Sequence, residues 1–294
     1  MSTASHPSLL APTEKVSAEQ LETDRRILAF ERSIQHINRR GFLGSMMAAA
    51  ALATVGVGEA RAQASVPITD VLNFALNLEY LEANFYLYAS TGTGLSSSLN
   101  GGGAAVQGAP GKLPLDANTL AVCQALAQDE VDHIADLRSA ITSLGGTPIP
   151  QPVINLAANG TITTQAQFIA AARQFTALGG SAYIGSAQLL VSNPAILTTA
   201  SQILGAEGQH AGVVNYLAIA QGIVSPAIDG QDIPPSATNL FTADAVHALS
   251  PLRTPSQVLG VAYRVSSAGT INPPSGVTLG GFFPNGFNGN VKST

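Results

Sequence analysis

From residue 65 onward the chain has four glutamates, Glu79, Glu82, Glu130 and Glu207, and every one lies in an apolar segment of helical period. Glutamate is a good helix former that ordinarily decorates exposed helix faces. The same stretch has three histidines, and two of them follow a glutamate by three residues, Glu130/His133 and Glu207/His210. Residues three apart share a helix face. Chance placement of two such pairs is on the order of one in a thousand. An ionised carboxylate costs several kcal/mol to bury even after relaxation. A chain that sinks this set into one core must protonate it, pair it with cations or let water reach it.

The faces follow from the 100° step per residue. In the segment from Thr69 to Tyr88, Asn73, Asn77 and Asn84 form one stripe, which reads as a solvated face, with Thr69 or Asp70 as N-cap. Glu79 points away from that stripe, with Glu82 one turn along and Tyr86 above it. In the second segment, Asn118 to Ser143, Glu130 and His133 share the apolar side with Cys123, Leu126, Ile134, Leu137 and Ile141. A third segment, Gln165 to Leu190, carries no acid. In the fourth, Ala195 to Ala220, Glu207 and His210 share a stripe with Ile196, Ile203, Val214 and Leu217.

No Lys or Arg is placed to offset these carboxylates, whereas two divalent cations would balance the four glutamates, with two neutral imidazoles completing the set. Glu-x-x-His on each of two helices is part of the ligand arrangement of di-iron and di-manganese bundles. Carboxylates with one imidazole per metal suit Fe or Mn. The expected metal ligands are Glu79, Glu130, His133, Glu207 and His210, with Glu82 as a candidate. The competing reading is a pair of buried Glu–His hydrogen bonds without metal, with Glu82 a helix-flank carboxylate. Tyr86 and Tyr183 read as core aromatics with bonded hydroxyls, Cys123 as a small buried hydrophobe, and His247 as a surface residue.

These residues resemble the ferritin-like superfamily, and within it exported bacterial ferritin-like proteins related to plant desiccation-related proteins. The resemblance rests on Leu72 to Tyr86, the two Glu/His pairs, Gly180-Ser-Ala-Tyr183-Ile-Gly185, Arg253 to Gly260 and Gly281 to Gly286. It implies that Glu79 is the first-helix ligand and that Tyr86 adjoins the metal site. The departure is on the third helix, where di-iron oxidases carry a Glu and this chain has Thr176 at roughly that place. That leaves Glu82 as a substitute carboxylate or one metal position under-liganded.

The expected fold is all-α: a ferritin-like four-helix bundle over 65–221, and a Pro/Gly-rich segment over 222–294 that packs on it, with one short helix from Pro255 to Tyr263 capped by Thr254. Gly145 to Thr163 gives about eighteen residues, enough to span roughly 55–60 Å, which suits the long crossover between the second and third helices. Residues 90–115, rich in Gly and Ser, read as a surface loop.

Residues 38–64 have the layout of a twin-arginine-type export signal: Arg39-Arg40, an Ala-rich apolar run and a small-residue site ending at Ala62 or Ala64. The apolar run is shorter than the ~20 residues a span needs, so no stable membrane span is expected after its removal. Residues 1–37 form an N-terminal extension of no evident function. The protein is therefore expected in the periplasm or outside the cell. Beyond the signal there are six basic and twelve acidic side chains, which excludes a nucleic-acid partner. A single cysteine excludes a disulfide framework.

Two functional classes stay open. One is a dinuclear Fe or Mn protein of catalase-like or oxidase-like chemistry acting on a small oxidant such as peroxide. The other is a non-enzymatic desiccation or envelope stress protein with a vestigial or empty site. A homo-oligomer is compatible with either.

Overall fold

The computed structural model describes residues 66–244 and 246–294; the N-terminal extension and the signal segment lie outside the described residues. The elements, in chain order, are α1 (Ile68–Thr91), β1 (Val106–Gln107), α2 (Ala117–Ser143), β2 (Ile154–Asn155), α3 (Gln165–Ser186), a 3-10 turn (Ala187–Leu190), α4 (Pro194–Ala220) and α5 (Pro255–Ala262). α1 packs chiefly on α2 and α3 chiefly on α4, and the two pairs close into a four-helix bundle. No helix among the described residues is long and apolar enough to cross a membrane.

The helix starts are written in capping chemistry. The Asp116 carboxylate accepts from Thr119 N, and Asn193 Oδ1 accepts from Ile196 N. Thr164 and Thr254 each form a reciprocal capping box with a glutamine three residues on, Gln167 and Gln257. α1 differs from expectation: it begins at Ile68 behind Pro67, without a side-chain cap from Thr69 or Asp70. Gly92 ends it in the left-handed conformation, its N–H bonding to Tyr88 O.

The crossover from Leu144 to Thr164 carries the chain to α3. It is held by the two-residue parallel pair Val106/Ile154 and Gln107/Asn155, which ties it to the loop after α1. Crossover and tail together reverse the reading of the asparagine stripe. Asn73, Asn77 and Asn84 are buried, not solvated. Asn73 Oδ1 accepts from Ile149 N, and its Nδ2 donates to Thr147 O. Asn77 exchanges two hydrogen bonds with the backbone of Asn288. Asn84 donates to Gln151 Oε1 and accepts from Leu95 N. An amide side chain offers a donor and an acceptor to the C=O and N–H of a passing backbone, so this stripe is where irregular chain docks. α1 is therefore buried on 17 of its 24 residues and forms the axis of the molecule.

The tail packs on the bundle, as its composition implied, and two buried ion pairs fix it. Arg173 of α3 donates to both oxygens of Asp232, to Ser225 Oγ and to Pro226 O. Arg253 donates to both oxygens of Asp229 and to Ser181 Oγ. α3 presents Gly185 where the tail crosses it; a Cβ there would overlap the Arg253 carbonyl.

Candidate metal centre

Three helices bring the six sequence-selected side chains together, and all six are buried. α1 supplies Glu79 and Glu82, α2 Glu130 and His133, and α4 Glu207 and His210. His133 Nδ1 stands 3.0 Å from Glu130 Oε2, 3.4 Å from Glu79 Oε2 and 4.0 Å from Glu207 Oε1. One donor atom from each of Glu79, Glu130, His133 and Glu207 lies within 4.8 Å of the others. His210 Nδ1 is 3.2 Å from Glu130 Oε1 and 3.9 Å from Glu207 Oε1. The two rings are 6.0 Å apart, so Glu130 offers one oxygen to each imidazole.

Glu82 stands outside that four-residue group but beside it. A Cβ at Gly179 would lie 2.8 Å from both Glu82 Oε1 and Glu207 Oε2. α3 thus passes the cluster on a residue with no side chain, and two carboxylates occupy the space. α3 also contributes Tyr183, whose hydroxyl donates to Glu79 Oε1. The Thr176 hydroxyl turns back onto Arg173 O of its own helix.

The electrostatics are those of charge confined without enough counter-charge. Burial, followed by the charges of neighbouring carboxylates, raises Glu82 and Glu207 well above the usual carboxylate range. Burial also works to raise Glu130, but its contacts with His133 and His210 outweigh it and bring that carboxyl to about 2. Burial opposes the His133 imidazolium, yet Glu130 and Glu79 carry its pKa up to about 11. His210 is raised in the same way by Glu130 and Asp129.

The donor set fits divalent metal. Glu82 Oε2, Glu130 Oε1, Glu207 Oε2 and His210 Nδ1 are all buried and have no hydrogen-bond partner in the protein. Buried polar atoms are nearly always satisfied, and these four belong to the cluster and the residues that border it. With the His210 ring proton on Nε2, directed at Asp129 Oδ2 2.9 Å away, Nδ1 turns a lone pair toward Glu130 Oε1. Two lone pairs at 3.2 Å require a cation or a second ring proton. One donor set is gathered, Glu79, Glu130, His133 and Glu207, and Glu82 and His210 border it, Glu82 beside Glu207 across Gly179 and His210 beside Glu130.

Sequence reasoning missed two contributors. Asp129 sits on the exposed flank of α2, and only the approach of α4 makes it the residue that orients His210. Gly179 makes room for Glu82. Tyr183 is the buried aromatic with a bonded hydroxyl that was expected, and its partner is Glu79. The position of Asp129 beside a buried Glu was the one available signal. Tyr86 departs from expectation, because its hydroxyl is buried without a partner. Burial and the charges of Glu82, Glu130 and Glu207 hold that phenol well above its ordinary pKa. Cys123 is buried, with Sγ 3.4 Å from Tyr86 O, and burial pushes its thiol up to about 12. His247 is exposed beside Asp244.

Residues 68–220 match the model of the ferritin-like domain family. Ferritin-like catalase Nec2 from Nesocodon mauritianus is 28% identical over 276 residues, spanning 76% of this chain and 84% of that protein.

Proposed function

Because the chain belongs to the ferritin-like domain family, we propose that it is an exported dimetal protein that disposes of peroxide in stress protection. The observation that carries this reading is the buried donor group of Glu79, Glu130, His133 and Glu207, in and beside which four side-chain atoms of Glu82, Glu130, Glu207 and His210 are left without hydrogen-bond partners. Glu79, Glu130, His133 and Glu207 would hold Fe or Mn, with Glu82 and His210 beside them as the further ligands. A metal pair supplies two-electron redox chemistry at oxygen ligands. The name of the relative supports peroxide as substrate. Dismutation is self-balancing: one peroxide is reduced to two waters while a second is oxidised to dioxygen, so no further reductant is needed.

The chain's own residues set the conditions. Asp129 fixes the His210 tautomer with Nδ1 inward, which also raises the basicity of the ring. Tyr183 holds Glu79 by a hydrogen bond and satisfies one of its oxygens. The six side chains are buried, which keeps bulk water from them. Burial leaves Glu82 and Glu207 with a tendency to hold a proton when no cation is present, so either carboxyl can take up or release one beside the site.

The rival reading, a scaffold without metal, draws on one observation. His133 in its protonated form is held between Glu79 and Glu130 and offsets part of the negative charge. Metal analysis of protein from its native host separates the two. About two Fe or Mn per chain, with hydrogen peroxide consumed, supports the dimetal reading. Less than half an equivalent, with a melting temperature indifferent to chelator, supports the scaffold. A Glu130→Ala variant is expected to lose both metals, because it removes the carboxylate facing both imidazoles.

A further inference from the structure

A half-open cavity of about 530 Å³ lies between α3, the end of the crossover and the tail. α3 lines it with one face, which includes Ala170, Gln174, Phe175 and Leu178. By the 100° step, that face lies roughly a third of a turn from Gly179 and Tyr183, which border the metal cluster. None of the six cluster residues lines the cavity. Its floor is apolar. Phe175 and Phe282 meet edge to face with ring centres 5.1 Å apart, and Ile162 and Val261 line the space with them. These four are not sealed, since each keeps 4–8% of its surface open.

The polar lining carries a single charge. Asn159 Nδ2 donates to Gln174 Oε1 and Gln174 Nε2 to Pro226 O, so these amides are engaged within the protein. Arg264 is the one charged side chain of the lining, and it is exposed. It stands where glycine is the usual residue. At the end of α5, Arg264 N bonds to Val261 O and Val265 N to Gly260 O, the Schellman pattern. That pattern needs a left-handed residue, and Arg264 supplies it at a φ of 60°. Gly281 leaves room for the side chain, because a Cβ there would lie 2.6 Å from Arg264 Cγ. A guanidinium carries five N–H donors, and the bond from Nη1 to Ala158 O is the one this side chain makes among the described residues. No carboxylate among them meets it, in contrast to Arg173 and Arg253 with Asp232 and Asp229.

We propose that this cavity binds a small organic monocarboxylate, with its carboxylate on Arg264 and its apolar body on the Phe175/Phe282 floor. Binding sites for organic molecules combine an apolar lining with a few placed polar groups, and a guanidinium meets a carboxylate through paired N–H donors. The charge count sets the ligand class. One cation and no acid line the space, so one negative charge is matched and a second has no counterpart. The bond to Ala158 O holds the guanidinium in place while leaving its other donors free for the ligand. This site is independent of the dimetal reading.

The test is calorimetric titration of the full-length protein with three probes: 4-phenylbutyrate, its neutral amide and phenyl phosphate. Wild type is expected to bind 4-phenylbutyrate at one site per chain, and the amide about 10-fold more weakly or worse, because the charge-assisted hydrogen bonds are lost. Phenyl phosphate, with its second charge, should also bind more weakly. Arg264→Met should bring the acid down to the affinity of the amide and leave the amide unchanged, and Arg264→Lys should restore part of the difference. Ala170→Trp fills the cavity from α3 without touching Arg264 and should weaken acid and amide alike. Metal content should be unchanged in all three variants.

The proposal is overturned if 4-phenylbutyrate shows no saturable binding, if acid and amide bind equally, or if Arg264→Met and Ala170→Trp both bind the acid as wild type does. Tighter binding of phenyl phosphate than of the acid would overturn the monocarboxylate assignment. Should Arg264→Met loosen the crossover by losing the bond to Ala158 O, acid and amide would weaken together, and Ala170→Trp then decides whether this cavity is the site. Affinity is expected to be the same in metal-loaded and metal-free protein, so failure here leaves the dimetal reading standing and failure there leaves this site standing.

Discussion

Two groups of buried charge sit on opposite faces of α3, and they are built on opposite principles. Arg173 and Arg253 meet Asp232 and Asp229, cation against anion, with each guanidinium contacting both carboxylate oxygens. Arg253 pairs with Asp229 in the planar bidentate way, Nε and Nη2 each to one oxygen, and Arg173 gives Nη1 to both oxygens of Asp232 and its other nitrogens to Ser225 and Pro226. The Glu/His cluster holds four carboxylates against two imidazoles and leaves four donor atoms without partners. The first arrangement is closed and fastens the tail to the bundle. The second is open, and open polar groups in a low-dielectric core are retained where something else binds them. Charge burial alone is therefore no mark of function; incomplete satisfaction is what separates the site from the lock.

This contrast can be broken experimentally. The largest effect is expected at the lock. Asp229→Asn leaves Arg253 buried without its counter-charge, at a cost of about 3–5 kcal/mol. For a protein of this size that is roughly 6–20 °C in melting temperature. Thermal unfolding with and without chelator checks it, and the loss should be the same in both, because Asp229 does not touch the metal cluster. A loss that vanishes on removing metal would merge the two regions.

Asp129→Asn addresses the open cluster. Removing the carboxylate that orients His210 is expected to lower metal affinity by about 10–100-fold, read by competition with a chromophoric chelator. Metal-free stability should change little, since Asp129 is on the exposed side of α2. The smallest effect is expected at Thr254→Ala, which removes the capping box of α5 for about 1 kcal/mol. Denaturant unfolding should show that loss, with metal content unchanged.

The sequence was most legible where the signal was periodic. The expected starts at Asn118, Gln165, Ala195 and Pro255 lie within one residue of α2, α3, α4 and α5, and Thr254 caps α5 as read, whereas Thr69 and Asp70 do not cap α1. The apolar faces bearing Glu130/His133 and Glu207/His210 were legible because helical period fixes direction. The asparagine stripe was not. Its amides read as solvated, since nothing near them in sequence indicates that Thr147, Ile149 and Asn288 descend on that face. The two arginine locks were hidden for the same reason, each joining α3 or the start of α5 to a loop far along the chain. Glu82 was undecided between flank and cluster because its placement depends on a glycine in another helix, Gly179. Asp129 depends on where α4 lies, which the period of α2 cannot specify.

The account stands on the unsatisfied cluster being a place for two cations, and anomalous diffraction from crystals of the metal-loaded protein tests this most directly. Data collected at the iron and manganese edges should give two peaks inside the bundle, one bordered by Glu79 and His133 and the other by Glu82 and His210, with Glu130 between them. A single peak, or none at full loading, with Glu130 instead hydrogen-bonded to two protonated imidazoles, would contradict it.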